Sequence, residues 1–91
     1  MTGYLAYSKA GHDRHKIYLI IREQGEYVYL ADGELKTLAN PKKKSMKHVQ
    51  INQKYSTQEI AEKLQRGEKL YDHEIKRTMK LFWQHMNNAE V

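Results

Sequence analysis

"HKIYLIIRE", His15 to Glu23, decides how the first half of this chain is read. Ile17, Tyr18, Leu19, Ile20 and Ile21 are β-branched, aromatic or aliphatic in unbroken succession, which makes this the best strand in the sequence. The run is far too short to cross a bilayer. Gln24-Gly25 breaks it, and "EYVYLA" follows with Val28 and Leu30 on one face and Tyr27 and Tyr29 on the other. Asp32-Gly33 is a strong signal for a two-residue hairpin turn, because a type I′ turn needs positive φ at both central residues. "ELKTLA" is then expected to return antiparallel. "GYLAYSKAG" before the central run reads as a strand ending at Gly11. "MKHVQI" after it reads as a last strand, with Met46, His48 and Gln50 on one side and Lys47, Val49 and Ile51 on the other. Five short strands in about fifty residues cannot make a sandwich, and a small, strongly bent, barrel-like sheet is the compact way to limit exposed edges.

The period changes after Ile51. "YSTQEI" carries a capping box, with Ser56 at the N-cap and Glu59 three residues on, and Tyr55 and Ile60 at staple positions. Ile60 and Leu64 face inward, and Gly67 is placed to stop the helix. A second helix is expected from about Asp72, with an apolar stripe of Ile75, Met79, Phe82, Trp83 and Met86.

The 91 residues are a one-domain length, and 40% hydrophobic residues suffice for a modest core. Sixteen Lys and Arg against eleven Asp and Glu give a net charge of +5, which points mildly to an anionic partner. Residues 1–51 hold nine of the basic and five of the acidic residues. That excess concentrates in "SKAGHDRHK" (Lys9, His12, Arg14, His15 and Lys16 against Asp13) and in "NPKKKSMKHVQ" (Lys42, Lys43, Lys44, Lys47 and His48). There is no cysteine, hence no disulfide framework and no thiolate metal site. The first sixteen residues lack a signal-like apolar run, so a reducing, cytoplasmic setting is expected.

Strand, Ala-Gly with a basic turn, then an apolar strand is the layout of a KOW motif. "YSKAGHDRHKIYLII", "YVYLADGELKTLANPKKK" and "KHVQI" together resemble the bacterial KOW-domain RNA-binding proteins, which look like large-subunit ribosomal proteins of the fourteen-e and twenty-seven-e type. The likeness covers roughly residues 3 to 51. It implies an SH3-like β-barrel over residues 1 to 52, followed by a helical extension over 55 to 88 that packs on it. It also implies a role in translation: a ribosome-associated protein that binds structured RNA, ribosomal RNA above all, with ribosomal proteins as further partners through the helical tail. Carried over by position, Gly11 is the KOW glycine, and Lys9, His12, Arg14 and Lys16 form one RNA-binding loop. Lys42, Lys43, Lys44, Lys47 and His48 form the other. Where the family has "GRDKG" this chain has "GHDRH", so a phosphate contact there is expected to be weaker or sensitive to pH.

Each feature also has a plainer reading. Gly11 can simply make its turn, and the lysines can be a solvated face. Tyr7, Tyr27 and Tyr29 can present rings for base stacking, but the simpler expectation is that they pack against the helical tail. His12 and His15 have no third ligand nearby, so no metal site is expected, and no cofactor is implied. No nucleophile elbow, triad order or phosphate-cradling glycine loop is present, so catalysis is not expected. A monomer is expected, with no membrane partner. The rival function is a protein-interaction module for a translation or transcription partner, in which the helical tail makes the contact and an exposed Trp83 or Phe82 marks the surface.

Overall fold

The computed structural model describes residues 2–9, 11, 16–55 and 57–89, the last three by their backbone alone. The strands are β1 (Leu5–Ser8), β2 (Ile17–Gln24), β3 (Tyr27–Ala31), β4 (Lys42–Ser45) and β5 (Val49–Asn52), and they form one antiparallel sheet in the order β4-β3-β2-β1-β5. One 3₁₀ turn, Met46–His48, joins β4 to β5. Two helices follow, α1 (Gln58–Gln65) and α2 (Asp72–Ala89). No helix among the described residues is long and apolar enough to cross a membrane.

The sheet is apolar on both faces. Leu5, Ile17, Leu19 and Ala31 lie on one face, in a cluster with Ile60 of α1, Leu70, and Ile75, Met79 and Phe82 of α2. Ala6, Tyr18, Ile20, Val28, Leu30 and Val49 lie on the other, with Met46 and Ile51 against them. Here the sheet covers itself. Strands β4 and β1 are three positions apart, about 14 Å in a flat sheet, yet the Lys44 ammonium donates to Ser8 Oγ at 2.5 Å. The sheet must curl for that contact to form. Its two outer strands, β4 and β5, stay unpaired with each other.

Two glycines set how closely the helices approach. Gly3 has φ +92°, and a Cβ there would lie 2.5 Å from the Ala61 Cβ of α1. Its carbonyl accepts a hydrogen bond from the Thr57 hydroxyl. Gly33 has φ +82°, and its Cβ would lie 2.4 Å from the Asp72 carbonyl oxygen at the start of α2. Both conformation and space therefore demand glycine at these two seats.

Several sequence expectations give way here. Asp32-Gly33 does not make a two-residue hairpin, and "ELKTLA" is not a strand. Asp32 Oδ1 accepts from the backbone of Glu34 and Lys36, each at 2.9 Å, folding a compact turn. The chain then runs on to Leu38, whose N–H donates to Asp72 Oδ1 at 2.8 Å and whose side chain packs on the helical cluster. Docking this loop on α2 buries an apolar side chain that a tight hairpin would leave on an edge. The lysine run, expected as a loop, is itself the fourth strand, and Met46 to His48 is a 3₁₀ turn rather than strand. Thr57, not Ser56, holds the capping position of α1, and its hydroxyl is committed to Gly3; Ser56 lies outside the described residues. On α2 the stripe is buried only as far as Phe82. Trp83 is 48% exposed and Met86 37%, because the helix's last turns run beyond the cluster.

The C-terminal end of α1 is well satisfied. Gly67 N–H bonds the Leu64 carbonyl and Glu68 N–H the Lys63 carbonyl, the paired bonds of a Schellman stop, with Gly67 at φ +70°. Glu74 ties the two helices. One carboxylate oxygen accepts from the Tyr71 backbone N–H at 2.9 Å, and the other accepts from the Lys63 ammonium. The hydrogen bond from Lys63, then that from the Tyr71 backbone, holds the Glu74 carboxyl below its ordinary pKa. The bond to Glu74 raises Lys63 in turn, against the opposing effect of desolvation.

Two predictions follow from these contacts. Gly33→Ala should lower unfolding free energy by about 1–3 kcal/mol in denaturant titration, the range for a side chain forced into positive φ, with a further penalty from the clash at Asp72. Glu74→Gln should lower the melting temperature at neutral pH. A lowered folded-state pKa contributes stability above the unfolded value, about 4.3 for Glu, and loses it as pH falls through the folded value. The gap between wild type and Glu74→Gln should therefore persist at about pH 5 and shrink toward pH 3; a gap constant over that range would remove Glu74 from this role.

Candidate nucleic-acid interface

Three strand ends meet at one end of the sheet. Tyr7 pairs with Ile17 and Ser8 with Val49, so Lys9 leaving β1, Lys16 entering β2 and His48 entering β5 emerge side by side. Backbone hydrogen bonds fasten them. Ser8 N–H donates to the Lys16 carbonyl at 3.0 Å, and Lys9 N–H to the His48 carbonyl at 2.8 Å. Lys9, Lys16, Lys47 and His48 are all exposed. The two basic segments, some thirty residues apart in sequence, thus share one rim. The 3₁₀ turn makes this possible. Ser45 Oγ accepts from the Lys47 N–H at 3.3 Å, and the turn delivers Lys47 and His48 to the rim before β5 begins.

Gly11 has φ +87°, a left-handed backbone that favours glycine. His12, Asp13, Arg14 and His15 lie outside the described residues. The remaining lysines do not all join the rim. Lys42 and Lys44 sit opposite Leu30 and Val28, on the self-covered face. Lys44 sends its ammonium to Ser8, the residue before Lys9, so its charge lies beneath the rim. Lys43 sits opposite Tyr29 on the other face and stands 4.4 Å over the Tyr27 ring. Strand alternation separates neighbours that the sequence presents as one run.

The tyrosines also divide. Tyr7 packs on the helical cluster, edge-on to Phe82 at 6.4 Å. Tyr27 and Tyr29 belong to neither apolar cluster, and Tyr27 is 43% exposed. A residue that sequence reading passed over explains their setting. Pairing slips between Ile20 and Arg22, so β2 carries a bulge. By simple alternation Arg22 would share a face with Ile20. The extra residue turns it to the face of Tyr29, where its guanidinium lies 4.4 Å over the ring. Only the pairing register reveals this.

A second feature is an open cleft between β5 and the end of α2, lined by Tyr7, Lys9, Gln50, Tyr55, Phe82 and Met86 among others. Tyr55 meets Phe82 edge-on at 5.3 Å and stands 5.2 Å from the His85 ring. No protein-family model matches the chain, and a search of curated proteins finds no match either.

Proposed function

We propose that this protein is an SH3-like barrel of the KOW type, extended by two helices, that binds structured RNA, ribosomal RNA above all. The observation that carries this reading is the bond between Lys9 and His48, which joins the two basic segments at one rim. The fold assignment is supported by the β4-β3-β2-β1-β5 order, the 3₁₀ turn before a last strand that returns to β1, and the curl that brings Lys44 to Ser8. Polyanions bind such a rim by Coulomb attraction and by release of condensed counterions, and both favour cations fixed on a stiff frame. Lys9, Lys16 and Lys47 are anchored at strand ends, so phosphates can bridge them without reorganising the backbone. Lysine is a point charge and reads phosphate position rather than base identity. The protein works by binding, in translation, within the ribosome or as a factor that visits it.

Replacing Lys9, Lys16 and Lys47 with Ala should weaken binding to all RNA sequences. It should also flatten the dependence of log affinity on log salt by about 0.7–0.9 per lost contact. Lys80→Ala, on α2, should leave the slope as it was. An unchanged slope in the triple variant would exclude the rim.

One observation favours a second reading. Trp83 is half exposed against buried Phe82, ring centroids 5.7 Å apart, with exposed Met86 one turn on. A large aromatic kept in water beside an open cleft is the kind of surface on which a protein partner docks. Under that reading the partner is retained after nuclease treatment and in moderate salt, and Trp83→Ala releases it. Retention by Trp83→Ala would rule this surface out.

A further inference from the structure

The face of β2, β3 and β4 that carries Arg22, Tyr29 and Lys43 in one row, and Gln24 and Tyr27 in the next, lies beyond the apolar cluster that the helices cover. We infer that this face is a stacking platform for two successive unpaired nucleotides of an RNA. The inference rests on the reading of the chain as an RNA-binding protein and adds a second surface to it.

Four features support the assignment. First, two large rings share a sheet face, Tyr27 exposed and Tyr29 half-buried, each with a cation above it: Arg22 over Tyr29 and Lys43 over Tyr27, both at 4.4 Å. Base, ring and guanidinium planes stack interchangeably, and cations freed or shared at the edge meet the adjoining phosphates. Second, Tyr27 and Tyr29 are two residues apart on one strand face, about 7 Å. That is about twice the 3.4 Å rise of a stacked strand, so a chain drawn out along β3 offers one base to each ring. Third, part of the platform is already fixed. Gln24 Oε1 accepts from the Arg22 guanidinium at 2.8 Å and from the Tyr29 hydroxyl at 3.2 Å. The guanidinium is therefore held above its ring before any ligand arrives, which lowers the ordering cost of binding. Fourth, the charge suits an anion. Of the acids on this hairpin, Glu23 pairs with Val28 and takes the opposite face, and Glu26 lies in the turn. Two cations and two rings match a nucleotide better than an apolar protein surface.

The platform and the rim sit at opposite ends of β2. Lys16 and Arg22 are six positions apart, roughly 20 Å along a strand. A duplex seated on the rim could thus pass an unpaired overhang or loop to the platform. The preferred ligand is then RNA that joins a paired segment to unpaired nucleotides.

The test uses three RNAs: a hexanucleotide carrying 2-aminopurine, a blunt duplex, and the same duplex with a single-stranded overhang. Affinities are read by anisotropy, and base stacking by 2-aminopurine quenching. Tyr27→Ala and Tyr29→Ala should each weaken the hexanucleotide about tenfold, within the range for one lost base–aromatic stack. They should abolish the quenching and the advantage of the overhang, and spare the blunt duplex. Tyr27→Phe and Tyr29→Phe should stay close to wild type in quenching. Lys43→Glu, on an exposed position, gives a second route should an alanine variant fold poorly, and should also weaken the hexanucleotide. The platform is overturned if the alanine variants bind the hexanucleotide like wild type, or if they lose blunt duplex equally. In either case duplex binding that depends on Lys9 and Lys47 would leave the RNA reading standing. If wild type binds none of the three RNAs, the RNA reading itself falls and the platform falls with it.

Discussion

Strand β2 is apolar on both sides, and the rest of the molecule answers to that. Ile17, Tyr18, Leu19 and Ile20 are all buried, alternating between two clusters. A strand of this kind needs a cover on each face, and the chain supplies two different ones. On one side the sheet curls over itself, with β5 and the 3₁₀ turn contributing Val49 and Met46. On the other, α1 and α2 lay Ile60, Ile75, Met79 and Phe82 against Leu5 and Leu19. The helices are thus half of the core rather than an accessory. Their close approach depends on two positions without a side chain, Gly3 under α1 and Gly33 under α2.

The same strand organises the surfaces. At its start, the curl and the β1 pairing draw Lys9, Lys16 and His48 together. At its finish, the bulge turns Arg22 toward Tyr29. One end offers mobile point charges on fixed backbone, suited to phosphates of any sequence. The other offers planes held by Gln24, suited to flat partners. The two surfaces therefore sit at opposite ends of one strand.

Much of this frame was legible in the sequence. The central run, the alternation of Tyr27 to Leu30, the change of period after Ile51, the stop at Gly67 and the start of α2 at Asp72 all rest on local patterns of side-chain type, and those patterns are obeyed. What could not be read depends on distant partners. Asp32-Gly33 has the chemistry of a tight hairpin, but Leu38 gains more from the helical cluster, and Asp72 accepts its backbone N–H. The lysine run looks like a solvated loop until β3 offers it a ladder. Arg22 has no sequence mark at all, since a bulge is a property of pairing between strands. In the candidate site, the meeting of the two basic segments was expected and the allocation of individual lysines was not. Lys43 and Lys44 are adjacent in sequence and end on opposite faces.

The helical cover has a consequence for how such a protein can be recombined. A fragment ending after β5 would keep every strand pairing and the whole rim, yet would bare Leu5, Ile17, Leu19 and Ala31 to water. Grafted into a new host, it would have to borrow a surrogate lid or stick to its neighbours. The smallest transferable cassette therefore reaches at least through Phe82.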